Sequence, residues 1–138
     1  MNRNEIYLEM ESISENESFA RIVVAAFITR LNPTLEQLAD IKTAVSEAVT
    51  NAIIHGYGEK EGKIKLKCQI EGRELRLWVI DDGVGISDVK KAMEPLYTTR
   101  PEWERSGMGF TFMETFMDHL EVESKPKEGT TVYMVKQL

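Results

Sequence analysis

Two polar side chains have a spacing that places them on one face of a helix. Glu47 and Asn51 are four residues apart among Ala and Val residues, so a helix would bring both side chains to the border of its apolar stripe. A carboxylate there could act as a general base toward a hydroxyl. An amide oxygen could ligate magnesium, which prefers oxygen ligands. A solvated glutamate and an ordinary helix-interior asparagine explain the pair equally well, and the pair alone favours that simpler interpretation.

Two glycine-rich turns could hold a nucleotide. Asp81-Asp82-Gly83-Val84-Gly85 directly follows a strand pattern, and its glycines permit a tight turn and close approach of a ligand. A carboxylate at the strand end could accept a hydrogen bond from an exocyclic amine such as that of adenine. Ser106-Gly107-Met108-Gly109 precedes a helical pattern, where exposed backbone N–H groups favour phosphate. A simple strand-terminating turn and a flexible hinge are the alternatives.

The glycine spacing argues against two common nucleotide folds. Neither turn has the P-loop pattern G-x-x-x-x-G-K-[ST], and neither gives G-x-G-x-x-G after the first strand, as a dinucleotide fold requires. Gly129-Thr130-Thr131 opens the last strand pattern. A hydroxyl there could support the aspartate that contacts the base, although threonine is common in strands.

Composition is that of an ordinary globular domain. The 138 residues are 42% hydrophobic and 29% charged, with a net charge of -6, and one domain is expected over residues 1–138. The acidic balance disfavours broad binding to nucleic acid. Cys68 is the only cysteine, and it is expected to face inward from a strand. No segment has the length of a signal peptide or a membrane span, so we expect a cytoplasmic protein without membrane contact.

The polar residues must be positioned by an alternation of strands and helices. Apolar periodicity predicts a strand at Ile6–Met10, followed by helices at 16–31 and 35–55, strands at 63–70 and 74–80, a short helix at 88–93, a helix at 108–120, and strands at 121–124 and 130–137. Ser14 with Glu17, and Thr34 with Gln37, have capping-box spacing. This order predicts an α/β two-layer sandwich: a mixed, mostly antiparallel sheet covered on one face by three helices. The irregular segment 95–107 has the character of a functional lid.

Four blocks in this order resemble the ATP-binding domain shared by DNA gyrase, Hsp90, histidine kinases and MutL. Glu47 to Ala52 is similar to its N box, Asp81-x-Gly83-x-Gly85 to its first glycine box, Gly107-Met108-Gly109 to the second, and Gly129-Thr130 to the third. The resemblance implies a Bergerat-type fold with a lid over bound ATP.

Longer segments resemble one family within this group, the sporulation anti-sigma F factors. They are Glu15 to Arg21, Val45 to Tyr57, Pro95 to Pro101 and Glu104 to Phe110. Arg100, within the third segment, replaces an expected lysine. Trp103, between the third and fourth segments, replaces an expected leucine. The family pattern otherwise continues across nearly the whole chain.

The resemblance implies a homodimeric protein serine kinase that uses ATP and Mg²⁺. It implies that the chain holds sigma F inactive and phosphorylates a serine of the anti-anti-sigma factor. By resemblance, Glu47 is the general base, Asn51 binds magnesium, Asp81 recognises adenine with Thr130 in support, and Arg21 lies on the partner surface. The remaining nucleotide contacts implied are Gly83, Gly85, Arg105, Ser106, Gly107, Met108 and Gly109.

Two other functions stay open at this point. A binding module could use ATP only as a switch that clamps a protein partner, which it would leave unphosphorylated. A general-stress anti-sigma kinase would act on another sigma factor. The intact Glu47 disfavours the first alternative, and the Glu15 to Arg21 block disfavours the second. A detached histidine-kinase domain is expected to differ in its lid and N box.

Overall fold

The computed structural model describes residues 3–58, 60–94 and 109–138. Its elements in chain order are β1 (Arg3–Glu11), α1 (Glu15–Ile28), a 3-10 turn (Thr29–Leu31), α2 (Leu35–Asn51), a π-helix (Ala52–Gly56), β2 (Lys63–Glu71), β3 (Glu74–Asp81), α3 (Val89–Ala92), α4 (Gly109–Phe116), β4 (His119–Ser124) and β5 (Thr130–Gln137).

The strands form one five-stranded sheet in the order β1-β2-β3-β5-β4. Every pairing between the described strands is antiparallel. Hairpins join β2 to β3 and β4 to β5, and β5 lies between β3 and β4 in the sheet. One row across the sheet contains Ile6, Cys68, Leu77, Met134 and Leu120. Alternate residues of each strand share this face. The predicted two-layer α/β sandwich with a mostly antiparallel sheet is confirmed.

The core lies between that sheet face and the helices. Helix α1 contributes Ala20, Val24 and Ile28, which are fully buried, and α2 packs against both α1 and α4. Cys68 is fully buried among these side chains, and burial raises the pKa of its thiol to about 12. The thiol is therefore protonated at neutral pH, which fits a structural residue.

The opposite face of the sheet is uncovered by helices within the described chain. Trp78 and Tyr133 are ring neighbours there, with centroids 4.9 Å apart, and the Lys67 ammonium lies 4.7 Å from the Trp78 ring centroid. Tyr7 on the edge strand is 58% exposed. This face therefore carries several aromatic rings, one of which, that of Trp78, lies beneath a charged side chain.

The first turns of α1 and α2 differ. Thr34 and Gln37 form the predicted capping box at α2, with reciprocal hydrogen bonds of 3.0 and 2.9 Å. The capping box predicted for Ser14 and Glu17 was wrong, because Ser14 already has helical backbone angles and its side chain makes no cap hydrogen bond. Its hydroxyl donates to Glu15 instead. Thus α2 has the side-chain cap that α1 lacks.

The predicted helix 108–120 was too long at its C-terminal end. Helix α4 ends at Phe116, and β4 begins at His119, two residues before the predicted strand. The Asp118 N–H donates to the Val135 carbonyl at 2.8 Å, and Leu120 is in register with Met134. Pairing with β5 therefore overrides the helical periodicity of residues 117–120.

Candidate functional site

Glu47 and Asn51 meet the start of α4 at the helix–helix contact. A Cβ atom on Gly109 would lie 3.2 Å from Glu47 Oε2 and 3.3 Å from both Asn51 amide atoms. Gly109 is buried and is the first residue of α4. The predicted shared face of α2 is thus directed at the residue where the second glycine block joins a helix. A side chain at position 109 would crowd both polar groups.

Asp81 is a buried carboxylate at the end of β3. It is 6% exposed and lies on the helix-facing side of the sheet. The Gly83 N–H donates to its Oδ1 at 2.9 Å, and the Thr130 backbone N–H also stabilises the charged form. Burial outweighs these bonds and raises the pKa of Asp81 to about 6. Its oxygens are therefore acceptors at neutral pH, as recognition of an amine requires.

The Asp81 turn is held by glycines whose Cα atoms touch other groups. A Cβ on Gly56 would lie 2.8 Å from the Asp81 carboxylate. A Cβ on Gly83 would lie 2.0 Å from the Gly56 carbonyl oxygen, and that carbonyl accepts a 2.9 Å hydrogen bond from the Val84 N–H. The end of the π-helix and the turn after β3 therefore pack backbone against backbone.

Gly85 has a left-handed backbone where the loop after β3 contacts the β4–β5 turn. Its φ is +75°, and a Cβ there would lie 1.9 Å from the Lys125 carbonyl oxygen. The Lys127 N–H donates to the Val84 carbonyl at 2.6 Å. The first glycine block is thus packed against the β4–β5 turn that leads into Thr130.

Thr130 contacts the aspartate through its backbone. It is in register with Asp81, and its hydroxyl lies 2.8 Å from Ser124 Oγ. Ser124 Oγ also accepts a 2.7 Å hydrogen bond from the Ile86 N–H. The expected support by the Thr130 hydroxyl is therefore a backbone interaction, while the hydroxyl joins Ser124 in holding the neighbouring loop.

In the sequence, Tyr57 stands out only as the last residue of the segment Val45 to Tyr57, and its contacts with the site were not predicted. Its hydroxyl accepts a 2.8 Å hydrogen bond from the Asp82 N–H and donates to the Lys63 carbonyl at 2.6 Å. Burial is the largest cause that raises the pKa of this phenol. Residue spacing carries no signal for such a contact, since the partners come from three different segments.

Arg21 lies on α1 and is 37% exposed. Its Nε is 3.1 Å from Glu17 Oε1, and its guanidinium donates to Ser18 Oγ at 3.0 Å. Glu17 also accepts a hydrogen bond from Ser46 on α2. The structure thus places Arg21 on a partly exposed helix face, oriented by a carboxylate that contacts the residue preceding Glu47.

Several sequence-predicted contacts lie outside the described residues. They are Arg105, Ser106, Gly107 and Met108, together with the departures at Arg100 and Trp103 and the predicted lid. Within the described ranges, the structure brings Glu47 and Asn51 to Gly109, and Asp81 to Gly83 and Thr130.

The oxygen atoms available in this site suit magnesium that is bound mainly by a nucleotide and only in part by the protein. No group of three or more His, Cys, Asp or Glu side chains in the described part of the chain could hold a metal ion. Asn51 offers an amide oxygen beside the Glu47 carboxylate and Gly109, and magnesium commonly takes one or two protein oxygens with phosphate and water oxygens. The residues present therefore suit magnesium that arrives with a nucleotide.

The sequence as a whole matches known proteins. The model of the histidine kinase-like ATPase domain matches residues 12–136. An anti-sigma F factor of Clostridium novyi is 60% identical over 100% of this chain and 97% of its own length. The anti-sigma F factor of Oceanobacillus iheyensis is 56% identical over 99% of this chain and 94% of its own. The chain belongs to the anti-sigma F factor family.

Structural comparison gives this anti-sigma F family member the same fold as a more distant protein. The crystal structure of the RsbU and RsbW domains of Rv1364c from Mycobacterium tuberculosis aligns with a TM-score of 0.70 at 18% identity. The alignment covers 98% of this chain and 32% of the longer one. The described part of the family member contains no helix with the length and apolarity to cross a bilayer.

Proposed function

We propose that this chain is an anti-sigma factor and a protein serine kinase. It holds sigma F in a complex favoured by ATP, and it phosphorylates a serine on the anti-anti-sigma factor. It acts in the cytoplasm as a homodimer, in one domain over residues 1–138. The names of the 56–60% identical relatives support the sigma partner, and the ATPase family supports nucleotide use.

The observation that carries the kinase assignment is the meeting of Glu47, Asn51 and Gly109. A carboxylate and an amide lie together where α4 begins, and N–H groups at a helix start attract phosphate. Asp81 supplies the second anchor, a buried acceptor for the adenine amine. The two anchors correspond to the two ends of one nucleotide.

Each residue has a separate task in this proposal. Magnesium-bound ATP supplies the phosphoryl group and charge neutralisation. Glu47 accepts the proton of the substrate serine hydroxyl as that oxygen attacks. Asn51 gives an oxygen to magnesium, and Asp81 orients the base. From the family pattern, Gly83 and Gly85 shape the adenine pocket. The phosphate-facing lid contacts proposed from the same pattern are Arg105, Ser106, Gly107, Met108 and Gly109.

The deciding experiment is phosphate transfer to a partner protein. The purified chain is incubated with Mg²⁺, γ-labelled ATP and a candidate anti-anti-sigma protein, and label on the partner serine is measured. We expect Glu47→Ala to bind ATP and to lose transfer by about 100-fold or more, as for other general bases. Glu36→Ala is the matched control, because Glu36 is an exposed carboxylate on the same helix.

Two outcomes would contradict the kinase proposal. Transfer that is unchanged in Glu47→Ala would remove this residue from the base role. Absence of label with wild-type protein that binds ATP would favour the nucleotide-gated binding module.

Arg21 gives an independent test of the partner surface. We expect Arg21→Ala to weaken binding of sigma F by about 10-fold or more, because partly exposed arginines are common interface anchors. Binding is measured by titration with ATP and Mg²⁺ present. Arg30→Ala is the control, since Arg30 is an exposed arginine just beyond the same helix. Unchanged binding in Arg21→Ala would place the sigma surface elsewhere, and equal losses in both variants would mark a general effect of removing positive charge.

A further inference from the structure

The Tyr57 hydroxyl connects two segments that border the nucleotide site. It accepts a hydrogen bond from the Asp82 N–H at 2.8 Å and donates to the Lys63 carbonyl at 2.6 Å. Asp82 follows the base-contacting Asp81 directly, and Lys63 is the first residue of β2. One phenol oxygen therefore joins the turn after β3 to the start of its neighbouring strand.

The position of the Tyr57 ring is fixed by its packing on Gly62. A Cβ on Gly62 would lie 2.4 to 2.6 Å from three atoms of this ring, so the ring lies directly on the glycine backbone. A side chain at position 62 would displace it. The hydroxyl is consequently held at one position by packing below the ring and by two hydrogen bonds at its tip.

The residue before Tyr57 holds the other side of the same turn. The Gly56 carbonyl accepts from the Val84 N–H at 2.9 Å, and the Gly56 Cα packs against the Asp81 carboxylate. Gly56 ends the π-helix, and the Tyr57 N–H donates to the Ala52 carbonyl at 3.0 Å. π-helical turns are frequent at functional sites. The end of the π-helix therefore brings Gly56 against Asp81 and Val84, and Tyr57 against Asp82 between them.

We propose that Tyr57 is a positioning residue for adenine recognition, whose phenol holds the Asp81–Gly83 turn in the geometry that binds the base. The inference rests on the proposed function, because it takes Asp81 as the adenine contact. Tyr57 itself touches the turn and is not assigned a contact with the nucleotide.

If the Tyr57 hydroxyl is removed, water can replace it as the hydrogen-bond partner of the Asp82 N–H. The Asp82 side chain is 68% exposed, so water can reach this turn and satisfy its N–H. The turn then samples further conformations, and the apparent affinity falls by the fraction that is competent to bind. The effect belongs to ligands that use Asp81, and ligands without the exocyclic amine lose less.

The test compares two nucleotides that differ at that amine. Dissociation constants of Mg-ATP and Mg-inosine triphosphate are measured by calorimetry for the wild type, for Tyr57→Phe and for the control Tyr7→Phe, an exposed tyrosine on β1. Tyr57→Phe keeps the ring on Gly62 and removes the two hydrogen bonds. We expect this variant to raise the dissociation constant of Mg-ATP about 3- to 10-fold, which is the effect of losing one or two such hydrogen bonds. The dissociation constant of Mg-inosine triphosphate is expected to change less than about 2-fold.

The outcomes separate this inference from the proposed function. A wild type that binds neither nucleotide, or both equally, contradicts the proposed role of Asp81. A wild type that prefers ATP, with the same preference in Tyr57→Phe, overturns the role of Tyr57 alone. Equal weakening of both nucleotides also overturns it, since that marks general structural damage. If circular dichroism shows that Tyr57→Phe does not fold, Gly62→Ala replaces it, and an unchanged ATP preference there overturns the role.

Discussion

The carboxylate of Asp81 is only 6% exposed, and its two backbone donors do not offset the burial. Its pKa is raised from 3.8 to about 6. Between these pH values the folded chain binds more protons at this group than the unfolded chain does. The contribution of Asp81 to stability therefore falls as pH rises through this window, and the full penalty is present above the folded pKa.

Asp81→Asn removes this penalty and is expected to stabilise the fold at neutral pH. The gain in unfolding free energy at pH 7.5 is at most about 3 kcal/mol, which corresponds to about two pKa units, and it shrinks toward pH 4. ATP binding is expected to weaken, because an amide offers one acceptor oxygen and an NH₂ group. Urea denaturation at both pH values measures the first effect. Asp82→Asn, a change at an exposed neighbour, is the control, and a gain independent of pH would contradict the explanation.

The helix caps and helix ends show which structural features can be predicted from local sequence. The Thr34 cap was predictable because both partners are local. The end of α4 was not, because it depends on pairing of Leu120 with Met134 in another strand. The two capping motifs have the same spacing, and only one forms. Glu17 instead pairs with Arg21 within the same helix and accepts a hydrogen bond from Ser46 on α2, and local sequence does not encode the second of these contacts.

The difference between the two caps is measurable. We expect Thr34→Ala to lower the unfolding free energy by about 1 kcal/mol, the usual value of an N-cap side chain. Ser14→Ala is expected to change it by less than about 0.5 kcal/mol, because the hydrogen bond from its hydroxyl to Glu15 is exposed to solvent. Chemical denaturation of both variants gives the comparison. A loss at Ser14 equal to that at Thr34 would show that the first cap forms in solution.

At the scale of the whole molecule, the sheet gathers residues that are distant in sequence. Asp81 and Thr130 are neighbours because β3 pairs with β5, and Glu47 meets Gly109 because α2 packs against α4. The identity of these residues was predictable from motifs and from the family resemblance. The contacts that hold them, such as Gly56 against Asp81 and Tyr57 against Asp82, required the packed chain.

Ligand binding across these elements should stabilise the whole fold. With Mg-ATP at about 100 times its dissociation constant, the expected gain is about 2.7 kcal/mol, which raises the melting temperature by about 5–15 °C for a domain of this size. Differential scanning fluorimetry with and without ATP measures the shift. The same concentration of inosine triphosphate should give a smaller one. Equal shifts would argue against recognition of the base by Asp81.

The left-handed backbone of Gly85 limits how this position can vary among related proteins. Its φ is +75°, and the Lys125 carbonyl oxygen lies 1.9 Å from where a Cβ atom would be. Glycine alone adopts such a backbone readily without a side chain to accommodate. Natural selection is therefore expected to remove substitutions at this position even where they leave the apolar core untouched.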